Sequence, residues 1–465
     1  MFDSDLLNFN KFKKDWRISE AKKLILDALK EHQSQLTEVR PPHPSLALLY
    51  HDIQVSFNEM RGGKLFFPYL ASGLGNGPLV ELMDGSVKYD MISGIGPHYW
   101  GHSHPDMIST TINAALNDTV MQGHLQQGIE AFHITTSLLQ SSKMDHCFLS
   151  SSGAMANENA LKIAFQKKFP ANRILAFDKC FLGRSLTLSN LTDKPSFRQG
   201  LPPSIQVDYI PFYNDDEPER SVRYTVEALK KHLARYPGQH AVMCFELVQG
   251  EGGVNAGSRE FFTTIMALVR EHGIAIFVDE VQTFGRTLEL FAYQHYKLDK
   301  FVDIVSIGKL SQICATLFRS DFKPQPGLLS QTFTGSTTAL QAGHYIIHQL
   351  LNGGYFGPEG KISRIHNLFV TYFEELQTRY PGTIQGPFGI GSMIAFTPFD
   401  GEFNRVSRFV HDLFHEGVIS FIAGSHPTRV RFLIPIGCIT PEDVGKVMGI
   451  VEKVIIEHRL KKDVL

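Results

Sequence analysis

The chain has 465 residues, 43% hydrophobic and 20% charged, which is typical of a globular protein of two or three domains. Its 45 basic and 47 acidic residues give a net charge of −2, so charge offers no reason to expect nucleic acid or an anionic membrane as a partner. The five cysteines are widely spaced without a CxxC pair, which argues against a disulfide framework or a structural zinc site and favours a cytoplasmic location.

The beginning of the chain, residues 1–85, is expected to form an N-terminal segment. Its first 65 residues are rich in charge and predict one helix near residues 21–32. The glycine-rich stretch at 73–77 predicts a turn, because no strand precedes it and no helix follows it. No secretory signal is recognisable at the N-terminus, and no apolar run approaches the roughly 20 residues that span a bilayer.

From about residue 105, helical periodicity alternates with uniformly apolar strands. Helices are predicted at 105–116, 156–168, 222–233 and 261–269, and strands at 147–150, 174–177, 207–210, 241–247, 274–278 and 302–305. This order predicts an α/β fold with a mostly parallel sheet covered by helices on both faces. We therefore expect a large domain over residues 86–340.

The C-terminal part, residues 341–465, has a different pattern. One helix is predicted at 406–413, where Gly417 ends it, and a last helix begins at Pro441 with Thr440 as its cap. We expect these residues to form a smaller α+β domain.

Polar residues stand where two apolar strands end. Asp279 and Glu280 follow the strand at 274–278, and Lys309 lies four residues after the strand at 302–305. Ligands of parallel sheets bind beyond the carboxyl ends of the strands, so a carboxylate and a lysine could face one crevice there. Taken singly, each could equally be a solvated surface charge.

The segment Ser152-Gly153-Ala154 lies between a predicted strand and a predicted helix. The first N–H groups of a helix have no partner within it, and the helix dipole favours an anion there. A phosphate group would fit this position. A plain strand-to-helix turn is the alternative.

Several segments together resemble class III aminotransferases, the ornithine and acetylornithine type. They are GHSHP at 101–105, SGAMANE at 152–158, FLGR at 181–184, FELVQGEGGV at 245–254, DEVQTFGRT at 279–287, DIVSIGK at 303–309 and TFTG at 332–335. The resemblance covers roughly residues 70–455 in the family's order. It implies a fold-type I pyridoxal-phosphate-dependent transferase, a homodimer with its active site at the subunit interface. It further implies transfer of an amino group from an amino acid or amine, often a terminal one, to 2-oxoglutarate.

The cofactor contacts follow from the resemblance. Lys309 would bind the aldehyde of pyridoxal 5′-phosphate as a Schiff base and later shuttle a proton. Asp279 would pair with the pyridine nitrogen and keep it protonated. The other contacts implied are Ser152, Gly153 and Ala154 at the phosphate, Phe181 and Val281 on the two ring faces, Gln282 near the ring hydroxyl, Glu246 close by, and Thr332 at the phosphate of the neighbouring subunit.

The substrate contacts are implied in the same way. Arg431 matches the arginine that binds the α-carboxylate of glutamate, with Arg429 as a nearby competitor, and Glu251 matches the glutamate that masks it when the other substrate binds. Arg184 matches a residue that meets the distal carboxylate of glutamate. Ile95 stands where some ornithine-specific members carry tyrosine. A core salt bridge is the alternative interpretation of Glu251 and Arg431.

Departures from the family pattern leave the amino donor open. Met155, Leu182 and Leu247 replace the usual residues, and the segment after Lys309 is not glycine-rich. An aminomutase or decarboxylase of the same fold, or a non-catalytic relative, are the alternative functions. The pairing of Glu251 with Arg431 favours transamination, and retention of Lys309 and Asp279 disfavours a non-catalytic relative.

No metal is expected from the sequence. His102 and His104 share one turn, but two ligands are too few for a metal site, so a structural turn is predicted there.

Overall fold

A computed structural model gives the fold of residues 5–119 and 128–462; the first four and last three residues of the predicted terminal segments lie outside this description. The N-terminal part contains three helices, not the single predicted one: α1 (Asn8–Lys13), α2 (Trp16–Gln33) and α3 (Ala47–Arg61). Helix α2 begins where the Asp15 carboxylate accepts a hydrogen bond from the backbone N–H of Arg17, which is ordinary helix capping.

A four-stranded sheet follows these helices. Strands β1 (Ala71–Asn76), β2 (Leu79–Leu82) and β3 (Val87–Asp90) are antiparallel neighbours. The predicted turn at 73–77 is therefore wrong, since most of it is strand β1 and only Gly77-Pro78 turns. The glycines permit close packing instead, because a Cβ at Gly75 would lie 2.3 Å from the His102 Cβ.

The central sheet has seven strands in the order β4-β12-β11-β10-β7-β5-β6. These are β4 (His146–Ser150), β5 (Arg173–Phe177), β6 (Gln206–Ile210), β7 (His240–Phe245), β10 (Ala275–Glu280), β11 (Ile304–Ile307) and β12 (Cys314–Phe318). Only β12 runs antiparallel to its neighbours, which confirms the prediction of a mostly parallel sheet. The prediction placed Asp279 and Glu280 after the strand, but they are its last residues and pair with Ser306 and Ile307 of β11.

The helices that accompany these strands are α4 (Pro105–Ala115), α5 (Ile129–Ser142), α6 (Gly153–Lys168), α7 (Leu186–Leu191), α8 (Pro195–Arg198), α9 (Pro218–Arg235), α10 (Arg259–Glu271), α11 (Ala292–His295) and α12 (Thr337–Asn352). Helices α5, α6, α9 and α10 pack directly against the sheet, and α12 packs against α4 and α5. In α10, Ser258 caps the first turn, and the apolar residues that recur at helical spacing are the buried ones, Phe261, Phe262, Ile265, Met266 and Val269. A short hairpin of β8 (Val248–Gln249) and β9 (Asn255–Ala256) lies beyond β7.

The C-terminal part forms an antiparallel sheet with its own helices. The strands β13 (Ile384–Ile390), β14 (Met393–Pro398), β16 (Phe421–Ala423) and β17 (Arg429–Leu433) stand in the order β13-β14-β17-β16. The helices are α13 (Lys361–Arg379), α14 (Phe403–Glu416) and α15 (Pro441–Lys462), and the short strand β15 (Val418–Ile419) joins β3. The domain boundaries at 85 and 340 stay a prediction. Within the described part of the chain, no helix is both long enough and apolar enough to cross a membrane.

Candidate active site

A cavity of about 240 Å³ opens at the carboxyl ends of the central parallel strands. Its lining includes most of the predicted site residues: Gly153, Ala154, Phe181, Glu246, Glu251, Asp279, Val281, Gln282 and Lys309. The structure thus brings together residues that are up to 156 positions apart in the sequence, from Gly153 to Lys309.

Strand alternation separates the roles of the two acids at the end of β10. Glu280 faces away from the cavity lining and accepts the backbone N–H groups of Ala292 and Tyr293 at 2.7 and 2.9 Å, so it anchors the start of α11. Asp279 lines the cavity. Because successive side chains of a strand point to opposite faces, only one of these acids can serve the cavity.

The Asp279 carboxylate is held from two sides. One oxygen accepts a hydrogen bond from the Asn157 side-chain amide at 2.7 Å, and the other accepts the Val281 N–H at 2.8 Å. Burial raises the pKa of Asp279 to about 6, although these hydrogen bonds oppose the rise. Asn157 is a site residue that sequence reasoning did not single out, and the same amide also donates to the Leu182 carbonyl at 2.7 Å.

Lys309 follows β11 in a left-handed conformation, with φ of +55°. The loop that contains Gly96 packs against its stem, since a Cβ at Gly96 would lie 3.2 Å from Lys309 Cδ. Burial, with a contribution from the nearby Arg431 cation, lowers the pKa of the Lys309 amine to about 8. An amine with such a pKa can gain and lose a proton near neutral pH.

This lowered pKa predicts selective reactivity of Lys309 in the cofactor-free protein. Below pH 8 the Lys309 amine is mainly protonated, and the fraction in the neutral, nucleophilic form rises as the pH passes 8. At the same pH, a lysine of ordinary pKa is less than about 1% neutral. We expect acylation of Lys309 by a limiting amine reagent to follow an apparent pKa near 8. Peptide mass spectrometry across pH 6–11 measures the extent of acylation of each lysine, with exposed Lys179 as the internal reference. The same dependence of acylation on pH at Lys309 and Lys179 would contradict the lowered pKa of Lys309.

Arg431, on β17, is fully buried beside the cavity. One of its guanidinium nitrogens donates to Glu251 Oε1 at 2.8 Å, and the same nitrogen lies 3.5 Å from Gln282 Oε1. Burial would raise the pKa of Glu251, but the Arg431 and Lys309 cations outweigh it and hold that pKa below its usual range. The Arg431 Nε and second Nη atoms are buried and have no partner among the residues that the structure describes. Such unused donors suit an incoming carboxylate.

The predicted competitor, Arg429, has a different role. Its guanidinium donates to the Gly253 carbonyl at 2.7 Å and to the Asn255 side chain at 2.9 Å, and it stacks on the Phe388 ring. These contacts tie β17 to the β8–β9 hairpin, whose turn contains Glu251. Arg431, and not Arg429, is therefore the arginine that contacts the cavity lining, through Glu251 and Gln282.

Glu246 lies at the rear of the cavity, where its carboxyl group accepts the Phe181 N–H at 2.7 Å. Burial and then the adjacent Asp279 charge raise the pKa of Glu246 well above its usual value. The raised pKa favours the neutral form of Glu246, which would hold the Phe181 backbone without adding a second full charge beside Asp279.

The start of α6 provides an anion-binding position. Ser152 caps the helix by accepting the Met155 N–H at 3.2 Å. In the described part of the chain, no partner satisfies the N–H groups of Gly153 and Ala154. A Cβ at Gly153 would lie 2.7 Å from Val281 Cγ1, so glycine is what allows the helix end to reach the cavity. The phosphate-sized anion predicted from the sequence fits here.

Five predicted residues are not part of the cavity lining: Ser152, Arg431, Arg184, Thr332 and Ile95. Ser152 and Arg431 contact it through the helix cap and through Glu251. The Arg184 guanidinium stacks on the Phe197 ring at 3.3 Å. Thr332 is exposed, and Ile95 is 38% exposed in the loop beside Gly96. The departures Leu182 and Leu247 are both buried, and Leu182 itself lines the cavity.

Comparison with known proteins agrees with this arrangement. The family described as aminotransferase class-III matches residues 67–455. The acetylornithine aminotransferase of Methanocaldococcus jannaschii is 27% identical over 403 residues, which cover 82% of this chain and 92% of that protein.

Solved structures are similar in fold. The lysine aminotransferase from M. tuberculosis has a TM-score of 0.76 at 22% identity, covering 86% of this chain and 98% of that one. The ornithine aminotransferase from Toxoplasma gondii ME49 has a TM-score of 0.75 at 21% identity, covering 89% and 96%. The family implies pyridoxal 5′-phosphate as cofactor, together with an amino donor and an oxo acid acceptor as substrates. The chain belongs to the class III aminotransferases, and it is a pyridoxal-phosphate-dependent enzyme that transfers amino groups.

Proposed function

We propose that this enzyme transfers the amino group of an amino acid or amine, in many cases a terminal one, to 2-oxoglutarate in the cavity that Lys309 lines. The observation that carries this proposal is the buried Arg431, paired with Glu251 and left with two unused donors beside the cavity. An enzyme that moves a group within a single substrate, or removes carbon dioxide from it, has no need of a carboxylate site that can be covered and uncovered.

The residues around the cavity fit pyridoxal phosphate. The open N-terminus of α6, with Ser152 as its cap and Gly153 and Ala154 as donors, would hold the phosphate group. Asp279 would hold the ring nitrogen, and the Lys309 amine would hold the aldehyde. When bound, the cofactor supplies a ring that accepts electrons from the substrate carbon.

Other lining residues would fix the ring between them. Phe181 and Val281 line the cavity and would contact its faces, while Glu246 holds the Phe181 backbone in place. Gln282 would lie near the ring hydroxyl, and it approaches Gly250 so closely that a Cβ there would collide with its side-chain oxygen. The Asp279 carboxylate would remain ionised next to a positively charged ring nitrogen, which lowers the raised pKa of the free acid.

Lys309 would serve as the proton carrier. Its lowered pKa, about 8, lies close to the physiological range, where a group can both accept and return a proton efficiently. With the cofactor bound, the Lys309 amine would accept the proton from the substrate carbon at Nζ and would later give it up again. The nearby Gly96 loop limits the freedom of the lysine stem and thereby keeps Nζ over the cavity.

Glu251 and Arg431 would allow one cavity to accept two kinds of substrate. A 2-oxo acid presents a carboxylate that would displace Glu251 and engage the unused donors of Arg431. An amino donor that reacts through its terminal amine would leave the ion pair between Glu251 and Arg431 intact, and it would bind over that pair. Arg184 would reach the distal carboxylate of the 2-oxo acid after leaving Phe197, and Ile95 would border the donor.

We also propose a cytoplasmic homodimer. Exposed apolar side chains on two N-terminal helices, among them Leu24 on α2 and Leu48, Leu49 and Met60 on α3, support a covered surface there. Thr332 would then reach the phosphate site of the neighbouring subunit. Sedimentation equilibrium of the holoenzyme tests this: a monomer at micromolar concentration would contradict it.

Asn157 carries a further prediction. Replacing Asn157 with leucine removes the amide that donates to Asp279, so the pKa of Asp279 should rise further and cofactor affinity should fall about tenfold or more. Equilibrium dialysis against pyridoxal phosphate at several pH values measures this. Met155→Leu, an exposed change on the same helix, is the matched control, and unchanged affinity in Asn157→Leu would contradict the role.

The proposed function is tested by separate half-reactions. Holoenzyme is mixed with single amines and amino acids, and conversion to the pyridoxamine form is followed by absorbance; 2-oxoglutarate is then added to the converted enzyme. We expect one donor class to convert the enzyme and 2-oxoglutarate to restore it. Release of carbon dioxide, or product formation without an acceptor, would instead support a decarboxylase or aminomutase.

A further inference from the structure

A cluster of metal-ligating side chains lies outside the cavity, at the loop that follows β3. Two histidines on the turn at 102–104 are too few for a metal site, but the fold places His98 and the Asp90 carboxylate around His102. The possible ligand atoms of these three residues all lie within 4.8 Å of one another. His104 is not part of the cluster, because it caps α4 instead.

The spacing of these atoms suits a small cation. Asp90 Oδ2 lies 3.0 Å from His102 Nε2 and 3.8 Å from His98 Nδ1. Ligands about 2.0–2.1 Å from a tetrahedral zinc ion are roughly 3.3 Å apart, between the two observed separations. Because the ligand atoms lie within 4.8 Å of one another, movement of the exposed His98 ring would close the site around an ion.

Charge also points to a cation. The Asp90 side chain is 3% exposed, and the two histidines are its only charged-pair partners within the described residues; neither lysine nor arginine pairs with it. Its oxygens additionally accept the backbone N–H groups of Ile92 and Gly94, both at 3.1 Å. A divalent ion would supply positive charge beside this buried carboxylate, which in that part of the chain pairs with neither lysine nor arginine.

Access and ligand chemistry narrow the choice of ion. The His98 side chain is 44% exposed while its Nδ1 faces the Asp90 carboxylate, so its ring can meet an ion from solvent. Two imidazoles with one carboxylate favour zinc and similar transition metals, whereas magnesium and calcium prefer oxygen ligands. A solvent molecule would complete four-fold coordination.

We propose that Asp90, His98 and His102 bind one divalent transition-metal ion of the zinc class. The ion would tie the end of β3, at Asp90, to His98 within the loop 93–101 and to His102 directly after it. That loop contains Ile95 and Gly96, the residue that packs against Lys309, and its Pro97 carbonyl accepts a hydrogen bond from Gln312 at 2.8 Å. The metal would therefore restrict the movement of the loop on the substrate side of the cavity. This consequence rests on the proposed function, but the binding of the metal ion does not depend on it.

Metal binding is tested on the pyridoxal-phosphate-loaded enzyme after dialysis against a chelator. Zinc is titrated by calorimetry, and cobalt is used as a probe with visible d–d absorption. We expect one ion per chain and a raised unfolding temperature with zinc. Loss of an outer-shell partner of a zinc ligand already costs about 10–100-fold in affinity, so His98→Asn should weaken binding at least about tenfold.

The controls separate this site from adventitious binding. His104→Asn changes a neighbouring histidine outside the cluster and keeps a good helix cap, so zinc affinity should not change. His98→Asn is preferred to a change at Asp90, whose carboxylate also holds the loop backbone. Three results would each overturn the proposal. The unmodified enzyme could fail to bind zinc even at millimolar metal, the His98→Asn variant could bind zinc as tightly as the unmodified enzyme, or the His104→Asn variant could lose as much zinc affinity as His98→Asn.

Discussion

Replacing Lys309 with alanine is expected to lower the rate of the amino-donor half-reaction by at least about 10³-fold. The change removes both the amine that would hold the cofactor aldehyde and the proton carrier, and general acid–base catalysis alone typically contributes about 10²–10⁴-fold. Stopped-flow absorbance with a productive donor measures the rate. Alanine occupies the left-handed position of Lys309 with no greater strain than lysine, so the fold should survive.

The matched control is Lys179→Ala, which changes an exposed lysine that does not line the main cavity. Its half-reaction rate should stay within about twofold of the unmodified enzyme, since it touches no reacting group. Equal rates in Lys309→Ala and the unmodified enzyme would remove Lys309 from the chemistry.

Replacing Arg431 with leucine is expected to reduce kcat/KM for 2-oxoglutarate by about 10²–10⁴-fold. Loss of charge-assisted hydrogen bonds to a buried carboxylate costs roughly 1.5–3 kcal/mol each, and the guanidinium has two unused donors. The donor half-reaction should fall less, because a terminal amine does not require the arginine. Measuring the two half-reactions separately distinguishes this pattern from a general loss of activity.

Two companion variants make the result interpretable. Arg431→Lys keeps the charge that balances Glu251 but loses the forked geometry, so folding should be retained while 2-oxoglutarate remains poorly bound. Arg429→Lys changes the arginine that contacts Gly253 and should leave the preference between substrates unaltered. Equal losses in both half-reactions of Arg431→Lys would indicate a structural salt bridge.

The central sheet could be predicted because parallel strands covered on both faces are apolar throughout, as in β7 and β10. The stretch at 73–77 could not, since glycine commonly marks turns, whereas here it lets β1 pass close to His102. The N-terminal helices α1 and α3 were missed because their apolar residues face outward in this chain and form no clear core stripe.

At the site, the resemblance of short segments was enough to name nine of the residues that line the cavity, but not the partners of their side chains. Asn157 lies within a quoted motif, yet its contact with Asp279 joins residues 122 positions apart and depends on how α6 packs over β10. Likewise, nothing in the spacing of Asp90 and His98 indicates that a loop with several left-handed residues, Ser93 and Ile95 among them, folds back to bring them together. Long-range pairs of this kind follow from tertiary packing.

The position of the covalent link to the cofactor tests the account most directly. Holoenzyme is reduced with borohydride, digested and mapped by mass spectrometry. The predicted result is a single pyridoxyl label on the peptide that contains Lys309, absent from Lys309→Ala. A label on another lysine, or cofactor that leaves the protein unlabelled after reduction, would contradict it.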